Sequence, residues 1–188
     1  MEKVIIAADV GGTRTKVGII NMKGNIIYSD VLPSVPNKGV EGLFENLCSF
    51  LHETFEEHRD RILGIGLSLS GGIDPEKGVV LLPGKFKKLE GYPIVPKIKD
   101  KFGVPVFANN DGRLAMYAER YFGLARDIDW AVAITLGTGV GSGVLLDGKI
   151  LDDPHFQFGT QIGHIIMDKS SDNICLTGNN GTIETQCS

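Results

Sequence analysis

Cysteine is scarce in this chain, with Cys48, Cys175 and Cys187 scattered over 188 residues. Three such positions cannot form a disulfide framework, which points to a reduced, cytoplasmic protein. Long apolar runs are absent too. The first one, Val4 to Ala8, stops at Asp9 after five residues. A membrane span needs about 20 apolar residues and a signal peptide needs a longer apolar core, so neither a membrane partner nor secretion is expected. Charge of one sign is also missing. Lys+Arg 19 against Asp+Glu 23 leaves a net charge of −4, with no global field to hold a polyanion, and nucleic acid is excluded as a general partner. No internal repeat or low-complexity tract breaks the pattern. Hydrophobic residues at 42% and charged residues at 22% are those of a folded domain and exclude disorder.

Glycine, in contrast, is abundant. Its 25 occurrences are about twice the ordinary ~7%, and they cluster where backbone must turn tightly or approach a ligand. Val4–Ala8, Lys16–Ile20 and Ile26–Tyr28 read as three antiparallel strands joined by short turns. Leu43, Phe44, Leu47, Cys48, Phe50, Leu51 and Phe55 recur at helical spacing between Val40 and Arg61. A buried strand Ile62–Leu67, a short extended piece Val79–Leu82, a helix within Pro93–Phe102 and a strand Val104–Ala108 follow. The next helix, after Asn109-Asn110-Asp111, is expected to turn Leu114, Ala115, Ala118, Tyr121 and Phe122 inward and to stop at Gly123. Trp130–Leu136 is a strand, Val144–Leu146 returns as its hairpin partner, and His164–Met167 is a further expected strand. The order makes a complete α/β layer of about 110 residues, within the usual domain range. A second strand meander then begins with no helix following to cover it, so the chain is expected to be incomplete or covered by another segment or subunit.

Three places carry possible chemistry. Asp9-Val-Gly-Gly-Thr-Arg-Thr-Lys16 sits in a strand–turn–strand. Its glycines allow successive amides to point at one anion, Thr13 adds a hydroxyl, Lys16 adds a positive charge, and Asp9 could hold Mg²⁺ through water. A plain Gly-Gly hairpin fits the same residues. It is not a Walker loop, because the Lys and Ser/Thr spacing differs and no helix follows. Leu136-Gly-Thr-Gly-Val-Gly-Ser-Gly143 is a second glycine-rich turn. It reads as a bulged hairpin or as a second phosphate cradle, and a strand after it excludes a dinucleotide fold. Asn110-Asp111 stands where a strand gives way to a helix. Asp111 there suits helix capping, general-base chemistry, or both. His164, Cys175 and Cys187 do not supply a zinc set at knuckle spacing. Lys85, Lys87 and Lys88 read as a solvated basic loop.

The ordered series Asp9-x-Gly-Gly-Thr-x-x-Lys16, Ser70-Gly-Gly-Ile-Asp74, Asn110-Asp111, Leu136-Gly-Thr-Gly-x-Gly141, Gly163-His164 and Cys175-x-Thr-Gly-x-x-Gly-Thr-x-Glu184 resembles the ROK family of bacterial sugar kinases and sugar-responsive repressors. The resemblance spans Asp9 to Glu184. It implies an actin-like (ribonuclease H-like) α/β fold, with residues 1–111 as the N-terminal domain and 112–188 as part of a second one, expected to be truncated relative to the family. It further implies ATP-dependent transfer of the γ-phosphate to a hexose or N-acetylhexosamine hydroxyl, as in glucokinases. Asp9, Gly11, Gly12, Thr13 and Lys16 are then expected near the phosphates and Mg²⁺, and Gly137, Thr138 and Gly139 as the second phosphate loop. Gly71, Gly72, Asn110, Asp111, Gln161, His164 and Glu184 are expected around the sugar, with Asp111 as the base. Gln161 departs from the family's glutamate, which changes charge at the sugar. Thr177 and Thr182 stand where the family has zinc-binding cysteines, so no structural zinc is expected. The family's repressors carry a DNA-reading module before the first strand, and with that strand beginning at Val4 no such module is expected here. A non-catalytic sugar-binding relative is the other alternative. Family members also form homodimers, an expectation carried over with the resemblance.

Overall fold

The computed structural model describes residues 2–34, 39–82, 89–137, 139–152, 159, 161–175 and 177–187. The chain divides into two compact units, Met1–Asn110 and Asp111–Ser188. The first is built on a five-stranded sheet in the order β3-β2-β1-β4-β7, formed by β1 (Val4–Val10), β2 (Arg14–Asn21), β3 (Ile26–Pro33), β4 (Ile62–Leu69) and β7 (Val106–Asn110). The β1–β2 and β2–β3 pairs are antiparallel, whereas β4 runs parallel to β1 and β7 parallel to β4. Alternation sets the register. Val4, Ile6, Ala8 and Val10 are all buried on one face of β1, and a shift of one residue would expose all four.

That face packs against α1 (Gly39–His58) through Leu47, Leu51 and Phe55, and against α2 (Ile94–Phe102) through Ile94 and Ile98. Both helices are crossovers, which parallel strands require. Helix α2 ends where Gly103 adopts φ +68° and its amide donates to the Lys99 carbonyl, a left-handed cap that glycine enters without steric cost. A small hairpin of β5 (Gly72–Asp74) and β6 (Val79–Leu82) is tied off by buried Asp74, whose Oδ1 accepts the amides of Glu76 and Lys77.

The second unit opens with α3 (Asp111–Phe122), followed by an antiparallel sheet of β8 (Ala131–Leu136), β9 (Val140–Leu146) and β10 (Lys149–Ile150) in the order β10-β9-β8. Its small apolar cluster is Met116, Ala125 and Leu145, flanked by Ala131, Ala133 and Ile150. The expected inward face of α3 is wrong. Gly112, Arg113 and Met116 are its buried residues, while Tyr121 and Phe122 are each 64% exposed. Backbone contact explains the rotation. A Cβ on Gly112 would lie 2.5 Å from the Ser142 amide nitrogen, and one on Gly143 would lie 2.6 Å from Cβ of Met116. The helix closes on β9 along a seam of glycines, and larger apolar residues are left outside.

Further corrections follow from the same unit. The strand expected at His164–Met167 is a 3-10 turn, Ile162–His164, followed by a single bridge between Ile166 and Thr182. The expected loop Gly137–Gly143 is mostly strand, since β9 begins at Val140. A short α4 (Ile183–Cys187) closes the unit. In the first unit the strand expected at Val104–Ala108 sits two residues later, so Asn109 and Asn110 belong to β7. Lys85, Lys87 and Lys88 lie outside the described residues.

Candidate active site

In the first unit, the polar residues gather at the carboxyl ends of parallel strands, where ligands of open α/β sheets bind. Asp9, Ser68 and Asn109 lie side by side in register on β1, β4 and β7. The Ser68 hydroxyl donates to Oδ1 of Asp9 at 2.7 Å. The Asn110 amide side chain donates to the Gly71 carbonyl at 2.8 Å, and Gly71 has φ +102°. Gly72, fully within the interior, starts β5.

The turn from Gly11 to Thr13 is held from beneath. Ser34, completely buried, donates its hydroxyl to the Gly11 carbonyl at 2.6 Å and lies 2.9 Å from the hydroxyl of buried Thr15. Serine has one proton, so Thr15 is the donor of that second bond. The Ser34 amide also donates to the Thr13 carbonyl. Gly11 contributes space rather than a donor, because its amide is turned onto the Asp9 and Arg14 carbonyls. A Cβ there would stand 2.8 Å from the Arg14 carbonyl oxygen. The amides of Gly12 and Thr13 have no partner among the described residues. With the exposed Lys16 side chain on the next strand, they are donors open to an anion.

In the second unit, the expected residues converge on Val140 and Gly141, the first two of β9. Asp111 begins α3 and accepts the Gly112 amide on Oδ1 at 2.8 Å, so it does cap the helix start. Its Oδ1 also lies 3.9 Å from where a Cβ of Gly141 would be. Glu184 accepts the Val140 amide on Oε2 at 3.1 Å, and the same oxygen fills the place a Gly139 side chain would take, 2.5 Å away. Gly163 lies against the Val140 carbonyl, its absent Cβ 2.6 Å from that oxygen. Gln161 precedes the 3-10 turn and accepts the His164 amide on its carbonyl. His164 Nδ1 is buried and has no partner among the described residues. Gly137 donates its amide to the Gly139 carbonyl and has open space on its Cβ side. Thr138 lies outside the described residues.

Sequence reasoning missed Thr15, Ser34, Ser68 and Arg113. The three hydroxyls carry no motif, since Thr15 stands between Arg14 and Lys16, Ser34 between Pro33 and Val35, and Ser68 between Leu67 and Leu69, and none of these settings names a hydrogen-bond partner. Arg113 is fully buried, with Nη1 2.8 Å from Oδ1 of Asp152. Nothing in the sequence marks it out, and the pair anchors the first turn of α3 to the segment after β10.

Cys175 is held by hydroxyls. Its Sγ lies 2.8 Å from Oγ1 of Thr177. Bonds from Thr177, then from the Thr177 and Asn179 amides and the Thr182 hydroxyl, bring the thiol down to about 6 despite opposing desolvation. Thr177 and Thr182 thus stabilise the sulfur where the resemblance led one to look for further thiolates. Among the described residues no three His, Cys, Asp or Glu side chains form a metal-sized group, and no helix is long and apolar enough to cross a membrane.

Comparison with known proteins places this geometry. The chain is 29% identical over 184 residues to a glucokinase of Thermotoga maritima, covering 98% of this chain and 57% of that protein. It resembles the structure of a ROK family glucokinase from Streptomyces griseus in complex with glucose and AMPPNP, with TM-score 0.82, 26% identity, and coverage of 96% of this chain and 56% of that one. It equally resembles a ROK family transcriptional regulator, a homolog of the E. coli MLC protein, with TM-score 0.86, 26% identity, and coverage of 100% and 47%. The chain therefore spans about half the length of the relatives it matches, and it carries the α/β, actin-like fold of ROK sugar kinases. With the ROK family profile matching residues 5–188, the chain belongs to the ROK family.

Proposed function

We propose that this chain carries phosphate-handling and proton-abstracting residues of an ATP-dependent hexose or N-acetylhexosamine kinase. The observation that carries the reading is the Asp111 carboxylate, fixed at the start of α3 by the Gly112 amide and lying over Gly141. A carboxylate so fixed is oriented to take a proton from an attacking sugar hydroxyl. Glu184 and the Gln161–His164 turn meet the same two residues of β9, and the unpartnered His164 Nδ1 offers a hydrogen bond to a sugar hydroxyl. Gln161 adds an amide that both donates and accepts, without charge.

In the first unit, the Gly12 and Thr13 amides and Lys16 are assigned to the nucleotide phosphates. One carboxylate beside an anion cradle is the donor set Mg²⁺ accepts, with waters filling its remaining positions. Asp9 fits that ion, and its Oδ2 has no partner among the described residues. When bound, Mg²⁺ would neutralise charge on the transferring phosphoryl group.

The test is Asp111→Asn in a coupled hexose–ATP assay. General-base loss lowers turnover by about 10²–10⁴-fold, with sugar affinity retained. Turnover near the unsubstituted level removes Asp111 from the role. The likeness to the transcriptional regulator supports a second reading, a sugar-binding relative without catalysis. Sugar binding with no ATP turnover in the unsubstituted protein would select it.

A further inference from the structure

Asp9 and Lys16 oppose each other directly across β1 and β2, both exposed and on one sheet face. Opposite charges so placed have Cβ atoms about 4.5–5.5 Å apart and attract each other. Yet no ion pair within 4.0 Å joins them. The Asp9 carboxylate instead turns to the other neighbouring strand, where Ser68 donates to Oδ1 at 2.7 Å. The serine stands beside Asp9 in the parallel β1–β4 register. A hydroxyl on a carboxylate makes a charge-assisted bond, about twice as strong as a neutral one, and it commits the only proton serine has. On the far side of Ser68 stands Asn109, whose Oδ1 takes the Asn110 amide.

We propose that Ser68 is a positioning residue that holds Asp9 on the β4 side and keeps it from closing onto Lys16. The proposal rests on the reading of Asp9 as the Mg²⁺ carboxylate and Lys16 as a phosphate contact. With Ser68 present, the two opposite charges stay separately available to a metal-bound polyphosphate. With Ser68 removed, they neutralise each other and both are lost to the ligand.

The experiment is calorimetric titration of the full chain with ATP, with Mg²⁺ and in its absence, for the unsubstituted protein, Ser68→Ala, Ser68→Thr and Asp9→Asn, each first shown by melting to be folded. Ser68→Ala is expected to weaken MgATP binding by about 10–100-fold, the usual loss when the partner of a metal-binding carboxylate is deleted. Ser68→Thr keeps the hydroxyl and restores the affinity. Without Mg²⁺ the two alterations diverge in sign. Ser68→Ala weakens ATP binding because Lys16 is paired, and Asp9→Asn strengthens it because a repelling charge is gone. Ser68→Ala made in the Asp9→Asn background should then have no further effect, whereas a structural defect would weaken binding there too. If Ser68→Ala leaves both affinities unchanged while Asp9→Asn lowers MgATP affinity, this inference fails and the phosphate reading stands. If Asp9→Asn also has no effect, or the unsubstituted chain shows no Mg²⁺-dependent ATP binding, the reading beneath it fails as well.

Discussion

The two units hold their turns by opposite means. In the first, twenty buried apolar side chains among the described residues make one cluster, and the Gly11–Thr13 turn is hung from it by buried hydroxyls. In the second, the apolar cluster is Met116, Ala125 and Leu145, and α3 meets β9 backbone to backbone at Gly112, Gly141 and Gly143. The first depends chiefly on what its side chains fill, with close glycine approaches at separate points such as Gly11 and Gly64, and the second on side chains omitted along a whole helix–strand seam. Taking atoms away should therefore harm the first unit most, and adding them should harm the second.

Leu51→Ala is the severest subtraction. Leu51 is fully buried between α1 and the sheet, and its truncation is expected to cost about 2–5 kcal/mol. Urea unfolding should record the loss, and hydrogen exchange should place it in the β1 and β4 amides. An equal loss from Leu145→Ala in the second unit would break the contrast. Gly112→Ala is the corresponding addition. One methyl group pressed to 2.5 Å from the Ser142 nitrogen should cost about 3 kcal/mol, at the upper end for overpacking, with protection lost in α3 and β9. The same change at Gly66 in β4 meets nothing within 4 Å, so Gly66→Ala should be neutral or stabilise by about 0.4–1 kcal/mol. Comparable losses at both glycines would erase the distinction.

The smallest effect concerns Cys175, whose thiol is brought from 9.0 to about 6 mainly by Thr177. A depressed folded-state value means that this stabilisation is fully present above the unfolded thiol's pKa, near 9, and is lost as pH falls through about 6. Thr177→Val should move the thiolate absorbance midpoint upward and flatten that part of the stability profile. Measured in a Cys187→Ser background, an unmoved midpoint would show that the Thr177 hydroxyl does not hold the sulfur. Cys48 does not confuse the reading, since burial pushes its thiol upward.

Much of the first unit was legible because its physics is periodic. β-Branched runs gave β1, β2 and β4, and the spacing of Leu47, Leu51 and Phe55 gave α1. The second unit was less legible because periodicity there points the wrong way. Tyr121 and Phe122 look like core and are exposed, whereas Arg113 looks like surface and is completely buried. Gly141 and Gly143 read as loop, but what they provide is room for another element's backbone, which a linear sequence does not display. At the site, glycine-rich turns and Asp111 were found by their types and order. Ser34 and Ser68 were not, because a lone serine gives no sign of whether its proton is free or committed.

β8 leaves one more consequence. Among the described residues it is the outer strand of its sheet, it contains no charged residue, and Val132, Ile134 and Leu136 along one side are 54–69% exposed. Such a margin is a template for strand addition between molecules. Concentrated solutions of this chain should accordingly precipitate, and a single lysine at position 134 should raise the concentration at which they stay clear.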